Sequence, residues 1–190
     1  GSIDRDYGVS DYDRKFTFTG SFNYQLPEFK RTGGARYVIG GWQINGILAL
    51  QSGGPLNIST GFDNSFSGIG ADRVDLIGDP TLPADRTRGQ KIQQWFDKTA
   101  FTANAPGTFG TLGRNAFRGP GYADLDLSLF KRFSMPYAEG HRLEFRAECF
   151  NALNRVNLGN PNTNFNSTVF GRITSANNPR ILQLVLRYSF

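Results

Sequence analysis

Large apolar residues recur at every second position in five separate stretches of this chain. In 15–26, Phe16, Phe18, Phe22, Tyr24 and Leu26 share one side of an extended backbone, while Lys15, Thr17, Thr19, Ser21, Asn23 and Gln25 share the other. In 41–51, Trp42, Ile44, Leu48 and Leu50 oppose Gln43, Asn45 and Gln51, with Ile47 and Ala49 as exceptions. In 123–133, Leu125, Leu127, Leu129 and Phe133 oppose Asp124, Asp126, Ser128 and Arg132, and Phe130 and Lys131 break the pattern. In 142–150, Leu143, Phe145, Ala147 and Cys149 oppose Arg142, Glu144, Arg146 and Glu148. The last stretch, 181–190, sets Leu182, Leu184, Leu186, Tyr188 and Phe190 against Gln183, Arg187 and Ser189. Period two predicts strands with one apolar and one polar face. Each is about ten residues long, the length a tilted strand needs to cross a bilayer, whereas strands of soluble domains average about five or six. A transmembrane barrel strand and a half-buried soluble strand share this alternation, so the connections must separate them.

The connections alternate in length. The first, 27–40, and the third, 134–141, are short; the second spans roughly seventy residues and the fourth roughly thirty, the asymmetry of barrels with short periplasmic turns and long extracellular loops. A mostly irregular connection of about seventy residues also counts against a compact soluble domain. With Phe190 at the periplasmic end, the strands run alternately down and up. The same rim then carries Tyr24, Trp42, Phe133, Tyr188 and Phe190, a set of membrane-interface aromatics. The long connections are rich in turn formers such as Asp63-Asn64-Ser65 and Asn160-Pro161-Asn162. Within them, Ile92, Trp95 and Phe96 fall at helical spacing, predicting a short helix in 90–101.

Composition narrows the function classes. Among 190 residues no apolar run is long enough for a transmembrane helix. The net charge of +5 is scattered and no nucleic-acid motif frames it, so no nucleic-acid partner is expected. Cys149 is the single cysteine and His141 the single histidine, which leaves no cysteine-based metal cluster. No metal, cofactor or enzymatic activity is expected.

Several motifs carry a resemblance. Phe109-Gly110-Thr111-Leu112-Gly113-Arg114-Asn115, Arg118-Gly119-Pro120-Gly121 and Asp124-Leu125-Asp126-Leu127-Ser128-Leu129-Phe130-Lys131 resemble a block near the end of TonB-dependent outer-membrane receptors of the Oar-like type. Leu143 to Asn151, Phe170-Gly171-Arg172-Ile173-Thr174, Asp11-Tyr12-Asp13-Arg14, Gly41-Trp42-Gln43 and Gln51-Ser52-Gly53-Gly54-Pro55 continue it in order. The terminal aromatic Phe190 resembles the C-terminal signature of bacterial outer-membrane proteins, read by the barrel-assembly machinery.

The resemblance implies an all-β chain: an antiparallel meander of about five long transmembrane strands, an open segment of a large barrel of the type with about 22 strands. On this reading 1–190 is a single C-terminal portion of the receptor barrel, with strands near 15–26, 41–51, 123–133, 142–150 and 181–190 and long loops 52–122 and 151–180. The plug and the segment that contacts TonB would lie in a part absent from these residues. The implied partners are outer-membrane lipid, the rest of the barrel and its plug, TonB, the assembly machinery and an unknown imported ligand. Two alternatives stand beside it: a structural or adhesive outer-membrane barrel without transport, and a soluble secreted β-domain that binds carbohydrate.

Candidate contacts follow from this picture. Trp95, Phe96, Arg114, Asn115 and Arg118 are candidate ligand contacts, the ring of Trp95 for stacking and the arginines for gripping anions. Trp95 and Phe96 have a second reading, as residues that pin the loop to its own small core. Asp124, Asp126, Arg142, Glu144, Arg146 and Glu148 read as a ladder of opposite charges facing one another on the lumen wall. The same carboxylates in a catalytic role would need a nucleophile or positioned base that the pattern lacks. His141 is expected to be solvated in its turn, and Cys149 to be a small apolar residue on the outward face.

Overall fold

The computed structural model of the chain describes residues 6–27, 40–68, 70–134 and 140–190. These divide into two compact units: a strand unit of 16–51, 122–156 and 178–190, and a loop unit of the residues up to 15 with 52–121 and 157–177. Most of the two short connections, 27–40 and 134–141, lies outside the described residues.

The strand unit holds five long strands, β1 (Thr17–Gln25), β2 (Trp42–Gln51), β3 (Tyr122–Ser134), β4 (Arg142–Phe150) and β5 (Ile181–Ser189). They form one antiparallel sheet in the order β1-β2-β3-β4-β5, the meander expected from the alternation. The register carries the apolar positions across all strands in straight rows. Phe22, Gly46, Leu127, Cys149 and Leu182 stand opposite one another, and so do Tyr24, Ile44, Leu129, Ala147 and Leu184. Phe22 lays its ring over Gly46, covering the one position in its row that lacks a side chain. Because the side-chain period is two, a slip of one residue in any pair would move a whole apolar set to the polar face.

This apolar face is bare. Leu182, Leu184 and Leu186 on β5 are 72%, 73% and 68% exposed, and Phe18, Phe22 and Tyr24 on β1 are exposed as well. No second layer of described residues covers them. A contiguous apolar patch of this kind is far beyond what water-facing surfaces carry. No described helix is long and apolar enough to cross a membrane. Among the described residues, β1 and β5 are each paired on one side only.

The two breaks in the β3 pattern resolve into paired contacts. Phe130 points to the polar face, where the guanidinium groups of Arg132 and Arg146 lie 5.6 and 5.7 Å from its ring centre. Lys131 points to the apolar face, opposite Trp42 and Phe145. Its Nζ donates to the Gly40 carbonyl at 2.5 Å and lies 5.2 Å from the Trp42 ring centre and 4.9 Å from that of Phe133. Lys131 as a whole is 3% exposed, its ammonium boxed in by aromatic faces and a backbone acceptor.

The connection 52–121 is mostly irregular, as its turn-rich sequence suggests, but short ladders and a core of its own order it. Pro55–Leu56 pairs with Phe117–Arg118, and Asp75–Leu76 pairs with Phe101–Thr102. Together with 157–177 it encloses a core of Ile58, Val74, Phe96, Ala100, Phe101, Leu112 and Phe170. Phe96, Phe101 and Phe170 meet at ring-centre distances of 5.1 to 5.8 Å. These residues come from distant points of the chain and show no period, so alternation could not announce them. The helix is also displaced. It is α1 (Arg88–Gln93), opened by a Thr87–Gln90 capping box and closed at Gln94, rather than a helix reaching Trp95 and Phe96. Beyond it the Trp95 N–H donates to the Gly171 carbonyl at 2.8 Å, which ties this stretch to the far side of the core.

Replacing Leu184 with Arg should destabilise the membrane-inserted full-length protein by about 2–4 kcal/mol if it lies near mid-bilayer. Arg187 on the opposite face should tolerate substitution by Gln with far less effect. Reversible unfolding from phospholipid vesicles measures both.

Candidate functional site

The loop unit brings the resembling motifs to one joint. The Gly119 N–H donates to the Gly54 carbonyl at 2.9 Å, extending the Pro55–Arg118 pairing into both glycine pairs. A Cβ at Gly53 would run into the Gly119 carbonyl, and one at Gly119 into the Asn160 side chain, so the backbones touch where a side chain cannot fit. Gly54 lies against the Arg14 guanidinium. Segment 6–15 is bound on the same side. Arg118 grips Asp13 through its carboxylate and, at 3.2 Å, through its carbonyl. Arg114 pairs with Asp11 at 3.1 Å, and Asn115 donates to the Asp11 carboxylate at 2.6 Å and to the Val9 carbonyl at 2.8 Å. Arg73 pairs with Asp6 at 3.0 Å. Asn115 adopts a left-handed backbone (φ 54°), a conformation asparagine tolerates better than most residues.

Of the five candidate ligand contacts, Arg114 and Asn115 are therefore occupied by the chain's own Asp11 strap. The other three, Trp95, Phe96 and Arg118, line one groove of about 310 Å³ together with Arg86, Lys91 and Phe117. Phe96 also belongs to the core and is 3% exposed, so it serves mainly to pin the loop, as its second reading has it. Trp95 packs against the same core, and its indole N–H donates to the Arg118 carbonyl at 2.8 Å.

On the polar face of the strand unit the charge ladder is shorter than expected. β4 pairs with only the C-terminal part of β3, from Leu127 to Ser134, so Asp124 and Asp126 stand opposite Ala49 and Ile47 of β2 instead of the arginines of β4. Asp124 accepts from the Tyr122 hydroxyl at 2.9 Å. Asp126 accepts from the Asn151 N–H at 2.9 Å, closing the turn after β4. The ion pairs are Arg132 with Glu144 at 2.8 Å and, along β4, Arg146 with Glu148 at 3.6 Å. Arg142 stands opposite Ser134 and Ser189. Arg132 and Asn151 are the residues that sequence reasoning missed. The alternation already places the first on the polar face, but only the register sets it opposite Glu144. The second is a buried asparagine whose side chain donates to the Arg155 and Asn178 carbonyls at 2.9 and 3.2 Å.

The predicted rim aromatics gather at one end of the sheet. Phe133 stands opposite Leu143, and Leu143 opposite Tyr188, while Trp42 meets Phe145 edge-on at 6.1 Å. Tyr24 lies one step in from that end, opposite Ile44. His141 is not simply solvated: its Nδ1 is 2.5 Å from the Tyr188 hydroxyl, and its ring stacks on Phe190 at 6.3 Å. Cys149 is free and half-buried on the apolar face, between Leu127 and Leu182.

The family model of the outer membrane beta barrel domain matches residues 2–183, nearly the whole chain. The chain belongs to this family. Comparison with curated proteins and with solved structures returned no match. As an outer-membrane barrel domain it resides in the bacterial outer membrane, and the bare apolar face of its sheet is the surface that lipid requires.

Two outcomes test the joint of this barrel domain. Gly53→Ala forces a methyl group into the Gly119 backbone; the variant is expected to expose the loop unit to limited proteolysis, with the barrel strands still protected. The Asn115 amide and then the Arg114 guanidinium hold the Asp11 carboxyl below the usual carboxylate range. A depressed folded pKa makes its contribution complete above the ordinary carboxylate value and lost only as pH falls through the lowered one. Hydrogen exchange in 6–15 should therefore stay slow through mildly acidic pH and quicken below the usual carboxylate range. The Asn115→Ala variant should show the same transition at higher pH.

Proposed function

We propose that the chain is the C-terminal barrel part of a TonB-dependent outer-membrane receptor of the Oar-like type, which takes up a ligand across the outer membrane and catalyses no reaction. The observation that carries this reading is the joint in the loop unit. Asp11–Arg14, Gly53-Gly54, Arg114-Asn115 and Arg118-Gly119 are scattered motifs of the receptor-like block, and they meet in one place. A set of short motifs that interlock is better explained by a shared architecture than by separate chance matches. The two sheet edges that no described residue pairs support the larger barrel, since an edge left open in hydrocarbon would strand backbone donors and acceptors. In this reading further strands close the barrel, a plug fills it and TonB engages that plug. Lipid covers the apolar face, and the assembly machinery reads Phe190.

Two experiments test it. The full-length protein in a planar bilayer should conduct little until its plug is unfolded by urea, and the isolated periplasmic domain of TonB should bind it. A wide pore open from the start, without TonB binding, would favour a non-transporting barrel. Deleting Phe190 should lower the amount of folded barrel in the outer membrane severalfold, with ligand binding intact in the molecules that do assemble. Unchanged barrel levels would overturn the role given to the terminal aromatic.

A further inference from the structure

The groove in the loop unit has a composition that narrows its occupant. Its volume of about 310 Å³ suits one ring with a single substituent group. Its walls carry the aromatic residues Trp95 and Phe117 and the apolar residues Pro80 and Leu82. The charged residues lining it are Arg86, Lys91 and Arg118, with no carboxylate among them.

The three cations are not equivalent. Arg118 is matched by Asp13. Arg86 is held by the carbonyls of Pro83, Gln94 and Trp95 at 3.1, 2.6 and 3.4 Å. Lys91 is held by the Ala84 carbonyl at 2.8 Å. Carbonyls fix these groups in place without neutralising them, and no described carboxylate pairs with either. The groove thus keeps about two units of uncompensated positive charge in fixed positions, a preorganised arrangement that lowers the cost of binding an anion. The indole N–H of Trp95 is already donated to the Arg118 carbonyl, so the residue offers a ligand its ring surface and no further donor. A sugar, which needs many polar partners, finds few here; a flat apolar ring does not need them.

We infer that the groove lined by Trp95, Phe117, Arg86 and Lys91 binds an aromatic acid, a planar ring carrying one anionic group. The inference rests on reading the chain as a ligand-gathering receptor and names the class of ligand for that reading.

The test uses the full-length protein in lipid nanodiscs, with naphthalene-2-sulfonate as probe and the uncharged naphthalene-2-sulfonamide and the non-aromatic cyclohexanesulfonate as controls, measured by calorimetry. The sulfonate should bind at one site, at least tenfold tighter than either control. Lys91→Gln should weaken sulfonate binding severalfold and leave the sulfonamide unchanged, Lys91→Arg should restore it, and Trp95→Leu should weaken both naphthalenes. Equal affinity for charged and uncharged probes, insensitivity to Lys91→Gln in a variant that resists proteolysis like the parent, or mere partitioning into lipid would overturn the inference. Binding is read without transport, so the two proposals fail separately. Saturable sulfonate binding by a protein that ignores TonB would remove only the transport reading, and TonB engagement without sulfonate binding would remove only this one.

Discussion

A backbone N–H or C=O inside hydrocarbon has no water to turn to, and each one left alone costs several kcal/mol. The strand unit is organised around that constraint. Its five strands pair in sequence order, so each interior strand has a partner on both sides, and among the described residues β1 and β5 are the strands with a partner on one side only. The same pairing carries the apolar residues into continuous rows, because residues opposite one another in an antiparallel ladder share a face. Apart from Lys131, the polar side chains of β3 lie on the other face, where Asn45 and Ser128, and Arg132 and Glu144, satisfy one another.

The loop unit obeys a different rule. Its backbone ladders are short, so its long connections need a core of their own to stay ordered. That core is built from aromatic residues in place of extended secondary structure: the rings of Phe96, Phe101, Phe117, Phe165 and Phe170 form a connected cluster. Large rigid rings bury much area for little entropy, which suits a unit whose backbone ladders are only two residues long. The joint at Gly53 and Gly119 adds what the rings cannot, a backbone-to-backbone closure that also anchors the strap of 6–15 through Asp11 and Asp13.

The strands were legible because period two is a local signal: β1, β2, β4 and β5 fall within two residues of their expected bounds, and β3 extends one residue further at each end. What was not legible depended on register or on long-range contact. The charge ladder follows from alternation and from β3 and β4 being hairpin neighbours, but the stagger of β3 against β4 removes Asp124 and Asp126 from it. Trp95 and Phe96 sit at helical spacing from Ile92, yet the capping residues close the helix before them. The groove needs Arg86 and Lys91 beside Arg118, positions that nothing in the order of the chain brings together.

Lys131 has a consequence for depth. It is the one cation in the apolar rows of β3, anchored to the Gly40 carbonyl at the aromatic end. From there to Ala123 the strand rises roughly 27 Å. At a tilt of about 40° that is a vertical span of roughly 20 Å, a little less than the apolar band of about 25 Å that outer-membrane barrels present. The strand therefore has little room to slide. Moving it further into the bilayer would drag a fixed positive charge into hydrocarbon, so a change in membrane thickness must be met by tilting the strands or by thinning the lipid beside them. The lysine acts as a stop that sets how deep the sheet sits.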